Sequence, residues 1–262
     1  MSQTTLKDRL TENLQTSRSV SKTERKIKMD NITDIATVDS DYIALKSDAL
    51  GIIAENLKNQ ELSYALFDTI KSPAGGATSF TVPGVSGDEL VKELVGIIID
   101  YKTPRVRFDS VDPVEGTLPS CFSADSVVSN EGKLCNQCEY NEFGSKDNGN
   151  SNGKQCRESV SVFLLRPNSI LPIIVRIPVS SKMSFLKYMT RLVSNATPLS
   201  AVVTRISLEK ATSKGGQNYA SYKFEAAVQL SSHESLTART FGQKFSELLD
   251  ATDVDTELAD AA

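Results

Sequence analysis

Every cysteine of this 262-residue chain falls within one 36-residue stretch, as Cys121, Cys135, Cys138 and Cys156 in the spacing C-x13-C-x2-C-x17-C. That spacing constrains the fold. The Cys135–Cys138 pair can chelate one ion from a tight turn, and two further thiolates supplied across loops complete the tetrahedron that Zn²⁺ prefers. Between Gly144 and Cys156 the chain reads Ser-Lys-Asp-Asn-Gly-Asn-Ser-Asn-Gly-Lys-Gln, which packs no core and needs a crosslink to stay ordered. Four reduced, buried cysteines are the competing reading, but such residues normally sit in apolar surroundings. An iron–sulfur cluster also takes four thiolates, at other usual spacings. Four Cys ligands leave no open position for a substrate, so the expected metal is a structural Zn²⁺.

Catalysis is disfavoured on composition. His233 is the single histidine, which removes most nucleophile–base pairs, and the H-x-E with P-C-x-x-C of zinc deaminases is absent. The chain is therefore expected not to be an enzyme. Four Cys in a chain this long are too few for a disulfide scaffold. No apolar run approaches the roughly 20 residues of a spanning helix, and the Met1-Ser-Gln-Thr start lacks a basic-then-apolar signal. A soluble, intracellular, cytoplasmic protein with no membrane partner is the expectation.

The formal net charge of −4 hides a segregation: residues 1–30 carry a net +3, 31–158 a net −9, 159–245 a net +8, and 246–262 six acids and no base. A basic half followed by an acidic tail suits a polyanion binder that restrains its own binding. Residues 1–40 are polar and expected to form a mobile N-terminal arm, and 246–262 a mobile acidic tail. From Asp41 to about Ile70 the residues Ile43, Leu50, Ile53, Leu57 and Leu66 recur at helical spacing, with an interruption expected near Gly51 or Asn59, and Pro73-Ala-Gly-Gly ends the helix. Strands are expected over 78–82, 94–102, 105–110, 160–166, 172–177, 199–209 and 219–230. A helix over 182–194, capped by Ser180 or Ser181, presents Met183, Leu186, Met189 and Val193 as its apolar stripe, and another spans 234–249. The fold class is mainly β (α+β). The order strand, strand, long loop, strand, helix, strand, strand is that of an OB-fold-like barrel over 41–245, with a zinc-binding loop insertion at 112–158 and flanking helices.

Three runs in this chain resemble a family of bacteriophage and prophage single-stranded-DNA-binding proteins. They are Phe80-Thr-Val-Pro-Gly84, the segment from Pro119-Ser-Cys121-Phe-Ser-Ala-Asp through the C-x2-C-x2-N-x-F-G-S run of Cys135, Asn141, Phe143, Gly144 and Ser145 to Gly153-Lys154-Gln-Cys156-Arg157, and Pro198 through Thr204-Arg205-Ile. The resemblance covers roughly 78–230. It implies a zinc-containing OB fold that coats single-stranded DNA during phage replication or recombination, in an infected or prophage-carrying host. Replication or recombination proteins would then be partners of the acidic tail. In this chain Glu139 follows the second Cys of the pair, where Pro is expected, and the tail ends Asp260-Ala-Ala without a terminal aromatic. A zinc-ribbon protein-interaction or transcription and replication regulatory module is the alternative.

Binding single strands needs cations along a groove and flat side chains on which bases stack. Arg105 and Arg107 share one side of their strand, with Lys102 close by. Arg205 lies opposite Thr204 and Ile206, and Tyr219 and Lys223 lie opposite Tyr222 and Phe224. Tyr140, Phe143, Lys154 and Arg157 combine aromatic and cationic groups beside the metal loop. These ten residues are the candidate DNA contacts. Phe163, Phe185 and Phe224 are expected in the core instead.

Overall fold

Cβ-branched and aromatic residues favour an extended backbone, and they dominate the segments that pair here. In the computed structural model, residues 42–46, 48–58, 66–110, 119–146, 153–213 and 215–250 are described. The arm expected over 1–40, and residues 251–262 of the expected tail, lie outside them. The strands are β1 (Thr69–Ile70), β2 (Phe80–Val82), β3 (Glu89–Val91), β4 (Glu93–Lys102), β5 (Arg105–Arg107), β6 (Cys121–Ser123), β7 (Arg157–Leu165), β8 (Ile173–Pro178), β9 (Val202–Thr212) and β10 (Asn218–Gln229). The helices are α1 (Ile43–Lys46), α2 (Ala49–Leu57), α3 (Val179–Ser194) and α4 (Ser232–Asp250). The fold is mainly β with few helices.

The principal sheet curls into a half-barrel in the order β1-β8-β7-β4-β9-β10, parallel between β1 and β8 and antiparallel elsewhere along that path. Two bulges, at Ile98/Asp100 in β4 and Ala226/Val228 in β10, each exchange the faces of the residues that follow. Leu94 and Ile98 thus join Val162, Val175, Ile206 and Tyr222 in the first core, under Phe185 of α3, and Tyr101 reaches that same Phe185 ring after the bulge. On the opposite face of β7 and β8, Phe163 and Ile174 pack with Phe122 of β6 and with Phe245 and Leu249 of α4. A third cluster joins Ile97, Leu165 and Phe241. Phe163, Phe185 and Phe224 are buried, as expected.

Several boundaries differ from the sequence reading. Among the described residues the first helix is two short ones: Asp48 caps α2 by accepting the Gly51 N–H at 3.1 Å, so one interruption falls just before Gly51, the one expected near Asn59 lies outside those residues, and Thr69–Ile70 pair as a strand. The strand expected over 105–110 stops at Arg107. Pro104 has no N–H for the ladder, and β5 leaves the main path to pair with β6 and the start of β7. In α3 the buried residues are Ser181, Phe185, Tyr188 and Leu192, while Met183 and Val193 are 60% and 74% exposed. Pro178 occupies the N-cap, and the buried Ser181 hydroxyl instead accepts the Tyr222 N–H at 3.0 Å, satisfying an edge-strand donor. Residues 246–250 belong to α4 rather than to a tail: Leu249 is buried and Ser246 Oγ donates to Asp100 at 2.6 Å. No helix among the described residues is long and apolar enough to cross a membrane.

Candidate functional site

The long connection from β4 to β7 builds the site. In the β5–β6 ladder Arg107 stands opposite Cys121, and Cys156 immediately precedes β7. Between them the backbone is folded by side chains. Asp125 accepts the N–H groups of Val127 and Val128, which hold its carboxyl below the usual range, and Cys135 N–H donates to the Val127 carbonyl at 2.9 Å. Asn141 is the hub: its amide donates to the Cys135 carbonyl at 2.8 Å, and its Oδ1 accepts from Arg105 at 2.6 Å and Lys154 at 3.0 Å. Gly144 takes φ +90, a backbone that glycine adopts without strain, and its N–H and that of Lys146 both meet the Gly153 carbonyl. Ser145 Oγ receives the Gln155 N–H at 3.0 Å. The N-x-F-G-S run is thus mostly a folding device, and of its named residues Phe143 alone points outward, 82% exposed.

All four cysteines line one cavity of about 470 Å³, together with Arg105, Arg107 and Tyr140. Each is a free thiol and Cys135 is buried. Burial pushes the Cys121 and Cys156 thiols up. Among the described residues no three His, Cys, Asp or Glu side chains are closed into a metal-holding group. The four thiols nonetheless share one cavity. As a donor set they fit zinc, with two soft ligands from the Cys135 turn and two from across the loop.

Arg105 and Arg107 are committed within this module. Arg105 pairs with Glu158 at 2.8 Å, while Arg107 pairs with Asp109 at 2.5 Å and lies over the Tyr140 ring at 4.3 Å. A second cavity, of about 710 Å³, adjoins through Cys156. Lys71, Phe143, Lys154, Arg157 and Arg176 are on its walls, and among the described residues Glu158 is the one acid there. Lys154 Nζ sits 4.6 Å above the Phe143 ring. Glu158 is held by both Arg105 and Lys182.

The structure brings together Arg105, Arg107 and Tyr140 at the first cavity, and Phe143, Lys154 and Arg157 at the second. Lys102, 3.9 Å from Asp100, stands across from Ser161 in β7. Arg205 and Lys223 are elsewhere on the sheet and have carboxylate partners: Arg205 meets Glu93 at 3.1 Å and Glu225 at 3.9 Å, and Lys223 meets Glu209. Tyr219, half-buried in β10, lines neither cavity. Sequence reasoning missed Lys71, Asn141 as a hub, and Arg176. The last left a readable signal, a lone charge inside the apolar run Pro172-Ile-Ile-Val-Arg-Ile-Pro178.

No family model matches this chain. No curated protein and no solved structure matches it either.

Proposed function

We propose that this protein binds single-stranded DNA without catalysing a reaction, through an OB-type barrel whose first connection is held by a structural zinc. The carrying observation is the second cavity, where cationic Lys71, Lys154 and Arg157 share the walls with the exposed Phe143 ring. Topology supports the assignment. The strands β4, β7 and β8 form a meander, α3 follows, and β9 returns beside β4, giving the spatial order 4-1-2-3 of a Greek key with β10 as the fifth strand. OB barrels bind oligonucleotides on the second and third strands and on the loops joining strands one to two and four to five. Here those strands are β7 and β8, and the first of those loops is the cysteine-bearing connection. Cys121, Cys135, Cys138 and Cys156 would hold the zinc, which supplies a crosslink and no chemistry on the ligand.

In this reading Lys71, Lys154 and Arg157 neutralise phosphates with release of counterions, and a base stacks on Phe143. The binding of labelled oligo-dT, followed by fluorescence anisotropy across a salt series, is expected to give a log Kd against log salt slope of magnitude about 2, from roughly three phosphate contacts on a single strand. Duplex competitor should not displace it. A slope near zero would remove the electrostatic mechanism, and no binding would favour the protein-interaction alternative. Phe143→Ala is expected to weaken binding by about 1–3 kcal/mol while leaving the melting temperature unchanged, because the ring packs against no core.

A further inference from the structure

Arg176 is a charge without a visible reason to be where it is. It sits in β8 among apolar neighbours, only 9% exposed, and its Nε has no hydrogen-bond partner. Loss of solvation pulls its guanidinium down to about 10. Glu158, the one acid among the described residues of the cavity wall, is already held by Arg105 and Lys182. A buried, uncompensated cation is costly, and an apolar side chain of similar length in its place is normally stabilising.

The surroundings say what would compensate it. In the sheet register Arg176 stands opposite Ser161, which stands opposite Lys102, so the three form one row on the outer face of β8, β7 and β4. The Ser161 hydroxyl is also buried without a hydrogen-bond partner. Lys71 and Arg157 are exposed on the cavity walls and Lys154 is half-buried, whereas Arg176 is buried, so the cations run from the mouth inward. Cationic walls of this kind select an anion, and a planar guanidinium matches two oxygens of a phosphate.

We infer that Arg176 is the docking point for one phosphate of the bound strand, a deep contact that fixes the strand's register while Lys71, Lys154 and Arg157 attract it from the cavity mouth. This deepens the single-strand reading and rests on it. It also predicts a signature that a structural arginine lacks, namely that removing the charge weakens binding and strengthens the fold.

The test uses the full, zinc-loaded chain with Arg176→Met and Arg176→Lys, oligo-dT anisotropy, inorganic pyrophosphate as a minimal probe, and thermal melts. Arg176→Met is expected to bind oligo-dT about tenfold to a hundredfold more weakly and to melt about 2–4 °C higher. Arg176→Lys should recover part of the affinity. Pyrophosphate should raise the melting temperature of the native chain and leave that of Arg176→Met unchanged. Native oligo-dT binding that Arg176→Met retains within twofold would overturn the inference and leave the single-strand reading standing. A pyrophosphate effect that depends on Arg176, without any oligo-dT binding, would keep the phosphate site and remove the single-strand reading. An Arg176→Met variant that melts lower or fails to fold would also overturn the inference, since it would mean that the guanidinium has a partner within the fold.

Discussion

Phe245→Ala is expected to lower the free energy of unfolding by about 3–5 kcal/mol, measured by urea denaturation with two spectroscopic probes. Phe245 is fully buried, and its ring meets Phe67 at 5.4 Å and Phe163 at 5.7 Å in edge contacts and Phe241 at 6.3 Å in a stacked one. The void left by alanine has little means of closing. Three residues earlier, a Cβ on Gly242 would come within 2.5 Å of the Ile99 carbonyl oxygen, so the helix backbone already lies against β4. Phe163 is anchored in β7 by its pairing to both neighbours. A loss below about 1 kcal/mol would mean that α4 rests on the sheet without being part of its core. The consequence reaches the candidate site, because Phe163 and Ile174 form the row next to Ser161 and Arg176 on the same face of β7 and β8. Loosening α4 should therefore weaken oligonucleotide binding as well as stability.

Local patterns in this sequence were legible, and pairings across it were not. The alternation that places Tyr222 and Phe224 inward and Lys223 outward survives in β10, because strand periodicity is written in consecutive residues. The cysteine cluster is legible for the same reason: its four members and the N-x-F-G-S run lie within one segment, and that segment folds on itself around Asn141. In α3 two stripes share a helical spacing. Phe185, Tyr188 and Leu192 are the ones buried because Phe224 faces two of their rings and Thr204 bonds the Tyr188 hydroxyl at 2.8 Å. Nothing within the helix announces those neighbours. The same holds for charge. Arg205 reads as a free cation until the register sets Glu225 directly opposite it, and Glu209 becomes a partner of Lys223 only across the hairpin. The +8 balance of residues 159–245 thus overstates what the sheet offers a phosphate: Arg176 apart, the cations on the walls of the second cavity, Lys71, Lys154 and Arg157, lie outside that segment.

Cys135→Ser separates a metal ligand from a packed thiol, since the change in size is small and the loss of thiolate chemistry is complete. If Cys135 only fills space, the cost is about 1 kcal/mol and binding is untouched. If it holds zinc, metal analysis should show bound zinc falling from roughly one ion per chain to well below that, and oligo-dT affinity should drop about tenfold to a hundredfold. Asn141 makes the second result follow from the first. Its amide is hydrogen-bonded to the Cys135 carbonyl and its Oδ1 takes the Lys154 ammonium, which in turn lies over the Phe143 ring. A turn released at Cys135 therefore displaces a phosphate contact and a stacking platform together. The first core, built from β1, β2, β4, β7 to β10 and α3, contains none of these residues, so the sheet's cooperative unfolding should persist. A variant that keeps full zinc and full affinity would return Cys135 to packing alone and remove it from the proposed ligand set.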